Sequence, residues 1–270
     1  MALFDAHNHV HLTAERGDGA ERALDELHRH DIYSAVASTC ENDWNTLTEL
    51  QRRFPDRLQV GLGIHPWWAN STRPGWAERL ESILLAHPNA FVGEAGLDGY
   101  RSLRPQGIAL ETQRQTLIPQ LQLAQKHQRP VVLHCVKAWE QLSGYLKATK
   151  VERFALHRYK GTPTQAQELF QMGGYVSIHL DSIWNQETKQ GIRKAPLQRI
   201  LIETDYDGPR PESLPFVAEL NLVLKELSGL LGKDPEYLAE LTTANALEFY
   251  GIDANTFARS FGAPEVAVRT

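Results

Sequence analysis

The opening segment LFDAHNHVHL, residues 3–12, sets Asp5, His7, His9 and His11 at every second position behind two apolar residues. A β-strand points alternate side chains to one face, so this spacing delivers imidazoles as a group. Grouped imidazoles with carboxylates nearby are what a divalent cation binds. Polar residues close other apolar runs in the same way: His65 in GLGIHP, Glu94 in VGEAGLD, His134 in VVLHC, His157 in FALHR and Asp205 in LIETD. Each has an ordinary alternative. A lone histidine in an apolar run is more often a hydrogen-bonded core residue. Glu94 and Asp205, costly to bury unpaired, can be neutralised by arginines. Four histidines and two carboxylates at five run ends (His7, His9, Glu94, His134, His157 and Asp205) favour a metal site instead. His11 falls beyond the expected strand end and reads as structural. A ligand set without thiolate suits Zn, Mn, Fe or Ni, or Mg where carboxylate and water dominate. Six ligands leave one ion no open position. They suit two ions about 3.5–4 Å apart that share a carboxylate and a water. Glu94 is the natural bridge, because its strand lies between that of His7 and His9 and those of His134 and His157.

These residues need a scaffold that brings distant run ends together. Eight short apolar runs recur at even spacing: 3–7, 33–39, 58–64, 90–96, 130–135, 153–157, 174–180 and 199–205. Helical patterns fall between most of them. They are clearest at Ala20–His28, at the Leu117, Ile118, Leu121, Ala124 stripe, at Val217–Leu231 and at Glu236–Phe249. Pro119 inside the second pattern should kink it or mark its first turn. Strand–helix alternation implies parallel pairing through right-handed crossovers. Eight units in about 250 residues fit an α/β fold, a single (β/α)8 TIM barrel, whose active site forms at the C-terminal strand ends. An open doubly wound sheet is the alternative, but its glycine-rich phosphate loop is missing after the first run. The expected division is one barrel over 1–254 and an appended tail over 255–270.

Composition bounds the function. Of 270 residues, 42% are hydrophobic and 23% charged, with a formal net charge of −5. That mild acidity argues against a protein that coats nucleic acid with its whole surface. Two cysteines, Cys40 and Cys135, form no disulfide framework, so a reducing cytoplasm is the expected setting. No basic-then-apolar leader opens the chain, and no run nears the about 18 apolar residues of a membrane helix. Cys135 neighbours His134 on a strand and should face the other way, packed behind the site.

Taken in order, DAHNH (5–9), GIHP (63–66), GEAGLD (93–98), LHC (133–135), LHRYKG (156–161), ETD (203–205) and LTTANALEFYG (241–251) resemble the TatD family of metal-dependent hydrolases, a branch of the amidohydrolase superfamily. The resemblance covers about residues 3–252. It implies that His7, His9, Glu94 and Asp205 hold one divalent cation and Glu94, His134 and His157 a second, of Mg, Mn or Zn. It implies that Asp205 is the catalytic residue that orients or deprotonates the attacking water, and that His65 contacts the substrate. Glu203 reads as a supporting residue. The chain departs from the family where HCVKAW (134–139) stands for H-T-R-D-A, HRYKG (157–161) for H-C-F-x-G, and ETDYDGPRPESLP (203–215) for ETD followed by S-P. Lys137, Arg158 and Lys160 are expected to line the mouth and draw in a phosphate. Trp67, Trp68, Trp139, Tyr159 and Tyr206 fall in the same loops, to stack on bases or to cap the rim. The implied activity is phosphodiester cleavage, deoxyribonuclease-like, by a metal-bridging hydroxide. The substrate would be a small molecule or single-stranded nucleic acid, with no membrane and no obligate protein partner. The alternatives are hydrolysis of a small amide, lactone or ester at the same centre, and a non-catalytic interaction protein on a barrel scaffold.

Overall fold

The computed structural model describes residues 2–16, 19–208 and 215–261. Eight strands, β1 (Leu3–Asn8), β2 (Ile32–Ala37), β3 (Leu58–Leu62), β4 (Phe91–Asp98), β5 (Val131–Val136), β6 (Phe154–Leu156), β7 (Tyr175–Ile178) and β8 (Ile200–Ile202), lie in sequence order and pair in parallel with each neighbour. Beyond the end of β8 the circle continues: Asp205 N–H donates to the His7 carbonyl (2.9 Å) and His9 N–H to that of Tyr206 (2.7 Å). The buried Asp5 carboxylate pins the same seam, accepting from the Thr204 N–H (3.0 Å) and hydroxyl (2.7 Å). The architecture is a (β/α)8 barrel.

Helices α1 (Gly19–Arg29), α2 (Asp43–Arg53), α3 (Trp76–Ala86), α4 (Leu110–Lys126), α5 (Trp139–Thr149), α6 (Pro163–Gln171), α7 (Gln186–Arg193) and α8 (Phe216–Leu231) surround it. Pro119 sits in the interior of α4 rather than in its first turn. It leaves the Gln115 carbonyl without its helical donor. The next residue, Gln120, ties the helix to the barrel instead, exchanging side-chain bonds with the N–H (2.7 Å) and carbonyl (3.1 Å) of Ile64.

Helix α9 (Pro235–Tyr250) closes the end opposite the catalytic-type strand ends. Its start is set by Pro235 and by Asp234, whose carboxylate accepts from the N–H groups of Glu236 and Tyr237. Gly251, at φ +70°, ends it in the left-handed conformation that glycine adopts freely. Asn245 donates to the carbonyls of Leu197 (2.7 Å) and Ile200 (2.8 Å), and the Tyr250 hydroxyl to that of Ala6 (2.6 Å). The 241–251 motif therefore anchors β8 and β1. Helix α10 (Ala254–Ser260) follows, and its Phe257 stacks on Phe4 and joins the interior cluster. The remainder of the expected tail, 262–270, lies outside the described residues.

The interior holds Phe4, Ala6, Tyr33, Phe91, Val132, Ala155, Tyr175 and Leu201 with Phe249 and Tyr250. A separate layer between sheet and helices holds Leu62, Val92, Leu133, Leu156, Ile178 and Ile202. The register slips in β1 between Asp5 and Asn8 and in β4 between Val92 and Ala95. Such slips break strict alternation. They allow Phe4 and Ala6, then His7 and His9, to face the same interior, and likewise Phe91 and then Glu94.

Candidate metal centre

The C-terminal ends of β1, β4, β5 and β6 and the segments after β3 and β8 converge on Glu94. It is buried, and each of its two oxygens meets a different set of imidazoles. Oε2 lies 3.2 Å from His7 Nε2 and 3.1 Å from His9 Nε2. Oε1 lies 2.9 Å from His157 Nε2, 3.0 Å from His134 Nδ1 and 3.1 Å from His65 Nε2. Asp205 Oδ1 is 3.7 Å from both His7 and His9. Close approach of β4 to β5 makes this possible. At Gly96 (φ +143°) a Cβ would strike the His134 carbonyl.

Three donor groups form here: His7, His9 and Glu94; His7, His157 and Asp205; and His65, Glu94 and His134. Tautomers sort them. His9 Nδ1 bonds the Ala37 carbonyl at 2.7 Å, so it carries a proton there and turns Nε2 to Glu94. His134 gives Nε2 to Asp98 Oδ2 (3.3 Å) and turns Nδ1 inward. His157 Nδ1 lies 3.4 Å from Glu203 Oε1 while Nε2 faces the centre. A cation-binding imidazole shows this same arrangement, one nitrogen to the ion and the other to a carbonyl or carboxylate. His65 is the reverse. Its Nδ1 accepts from the Trp67 N–H (3.1 Å), so its proton is on Nε2, aimed at Glu94. That leaves His65 no lone pair for a cation.

The donor set fits a metal. His7 Nε2 and His9 Nε2 are 3.2 Å apart, as are His134 Nδ1 and His157 Nε2. Two lone pairs at that distance repel unless a proton or cation lies between them. Buried Glu94 Oε1 finds no hydrogen-bond partner of acceptable geometry.

Electrostatics supply the charge a cation needs. Burial would raise the Glu94 carboxyl, but His157, His65 and His134 hold it well below the usual carboxylate range. Burial acts likewise on Asp205, and the imidazoles of His157, His7 and His9 bring it to about 2. Asp98 is at about 2 against burial, through bonds from His134, the Arg101 N–H and the Trp67 indole. His65 falls to about 4 through burial, which keeps it neutral.

The outer residues differ from their sequence expectation. Arg158 donates to Asp205 Oδ2 (2.8 Å) and twice to Asp181 Oδ2 (3.0 and 2.8 Å). Lys160 pairs with the same Asp181 oxygen (2.5 Å), and His179 with its other oxygen (2.7 Å). The arginine alternative raised for Asp205 is thus present. Neither Arg158 nor Lys160 is a free cation, because the loop after β7 brings a counter-charge that their own segment does not contain. Lys137 is exposed, its ammonium 5.1 Å from the Tyr100 ring centroid. Trp139 and Tyr159 are packed away and Tyr206 stacks on Phe216, whereas Trp67 and Trp68 stay exposed. His11 pairs with Asp43 (3.3 Å), away from the centre. Cys135 lines a cavity of about 460 Å³ between the exits of β5 and β6, with Lys137, Tyr159 and Lys160. Burial lifts its thiol to about 12, which leaves no thiolate for attack.

Comparisons with known proteins agree with the geometry. The family described as TatD related DNase matches residues 4–251. An uncharacterised metal-dependent hydrolase of Haemophilus influenzae is 26% identical over 93% of this chain and 100% of its own. A protein named 3'-5' ssDNA/RNA exonuclease TatD, from Klebsiella pneumoniae, is 28% identical over 72% of this chain and 77% of its own. The crystal structure of YJJV, a TatD homologue from Escherichia coli, superposes with a TM-score of 0.80 at 24% identity, over 93% of this chain and 98% of that one. With its eight parallel strands and a carboxylate ringed by imidazoles at their ends, the chain belongs to the TatD-related family and is a metal-dependent hydrolase.

Proposed function

We propose that the protein hydrolyses phosphodiesters of single-stranded nucleic acid or a smaller diester with two divalent cations bound at Glu94. The observation that carries this reading is the division of Glu94, one oxygen to His7 and His9 and the other to His134 and His157. His7, His9, Glu94 and Asp205 would hold one cation and Glu94, His134 and His157 the other, with Mg, Mn or Zn all suited to the donors. When bound, such cations supply Lewis acidity and offset the charge that builds on a transferring phosphoryl group. Asp205 is the general base. Arg158 fixes its Oδ2 and leaves Oδ1 toward the centre, and its carboxylate is ionised at neutral pH. His65, neutral and protonated on Nε2, is placed to donate to a substrate oxygen. The single-strand preference draws on the name of the Klebsiella relative. The tail boundary near 254 and a cytoplasmic setting belong to the same reading. Among the described residues no helix is long and apolar enough to cross a membrane.

Asp205→Asn tests the mechanism. Turnover of an oligonucleotide should fall by about 10²–10⁴, the usual worth of a general base, with the circular-dichroism melt retained. Full activity would remove Asp205 from the chemistry. A panel of single-stranded DNA, RNA and small diesters tests the substrate class. No metal-dependent cleavage of any of them, with turnover of a lactone or amide, would overturn the phosphodiester reading.

A further inference from the structure

Beside the centre, the segments after β3, β4 and β5 carry exposed ring faces and cations that make no contact with Glu94 or its imidazoles, apart from Trp67. Trp67, 44% exposed, sits in the short 3-10 turn Pro66–Trp68, its ring centroid 6.0 Å from that of His134. Its indole N–H donates to Asp98 (2.7 Å), the carboxylate that also holds His134. The Arg101 guanidinium lies over the Trp67 ring at 4.3 Å. Tyr100, 43% exposed, follows, with Arg104 at 4.6 Å and Lys137 at 5.1 Å from its ring. Among the described residues, Arg101, Arg104 and Lys137 form no ion pair. Arg158 and Lys160, in the loop after β6, are held by Asp181.

We infer that Trp67, Tyr100, Arg101, Arg104 and Lys137 form a ledge that binds the unpaired strand of a nucleic acid and leads it to the metal centre. The inference rests on the phosphodiester reading and adds the side of the rim on which the polymer lies. Exposed rings offer faces to successive bases, and cations interleaved with them meet the phosphates. A duplex hides its base faces in its own stack, so the ledge selects single strands. The mild acidity of the whole chain does not oppose this, since the three cations are local and unneutralised.

The test is fluorescence anisotropy with a labelled, hydrolysis-resistant phosphorothioate oligothymidylate and the metal-loaded full chain. The triple variant Arg101→Ala, Arg104→Ala, Lys137→Ala should raise Kd about tenfold or more. It should also reduce the slope of log K against log salt by about 2, near 0.7 per lost phosphate contact. Tyr100→Ala should raise Kd at least about fivefold, the low end for one stacked base. Each variant is checked by thermal melting. Unchanged binding in the triple variant, an equal loss in Lys160→Ala, or equal affinity for a duplex of the same sequence would overturn the ledge. Turnover of bis(p-nitrophenyl) phosphate and oligonucleotide by the wild-type protein separates the two readings. Binding lost as described with no turnover sinks the hydrolytic reading alone, and turnover with unchanged variant binding sinks the ledge alone.

Discussion

At the scale of single residues, the second ring nitrogen separates His9 and His134, proposed as ligands, from His65, whereas the buried His7 Nδ1 meets no partner. His9 and His134 spend theirs on Ala37 and Asp98, and His65 accepts a backbone N–H instead. Asp98 therefore orients His134, a proposed ligand, without being one itself. Asp98→Asn should weaken cation affinity about 10–100-fold, as loss of such a partner generally does. Metal titration by isothermal calorimetry would show this, and unchanged affinity would make Asp98 a loop-capping residue only. The six residues proposed as ligands were legible, because polar residues closing apolar runs stand out. Asp98 was missed, although it stands two same-face positions after Glu94 on β4 and closes the motif GEAGLD. Asp181 was not legible. Besides His179 of its own segment, its partners come from the loop after β6, so Arg158 and Lys160 read as free cations.

At the scale of elements, the eight strands followed from β-branched and apolar runs, and each was found within a few residues of its expected place. Strict alternation failed in β1 and β4, where the register slips. A slip has no composition of its own, so period-two counting carries straight through it. Among the helices, α2, α3, α5, α6 and α7, of 8 to 11 residues, were not singled out in the sequence. The 241–251 motif was read as a family mark, and its physical role emerges only in the fold. Asn245 satisfies two carbonyls at the entry to β8. Asn245→Ala removes the side-chain donor to the buried Ile200 carbonyl, while the Leu197 carbonyl keeps the Ile200 N–H, and should cost about 1–3 kcal/mol in urea unfolding. A loss below a few tenths of a kcal/mol would mean that water replaces the amide and that α9 is held by Phe249 and Tyr250 alone.

At the scale of the whole molecule, the barrel separates two tasks. One end is sealed by aromatic packing of Phe4, Tyr33, Phe91 and Tyr175 against α9. The other end gathers charge that the sealed core could not tolerate: the buried Glu94, the partly buried Asp205 and five imidazoles within reach of one another. Closure at the β1–β8 seam, through Asp5 and Thr204, brings Asp205 to His7 across nearly 200 residues of chain. The most direct test is anomalous diffraction from crystals grown with Mn²⁺. Two peaks are expected about 3.5–4 Å apart astride Glu94, one beside His7, His9 and Asp205 and one beside His134 and His157. A single peak, or one ligated by His65 in place of His157, would contradict this.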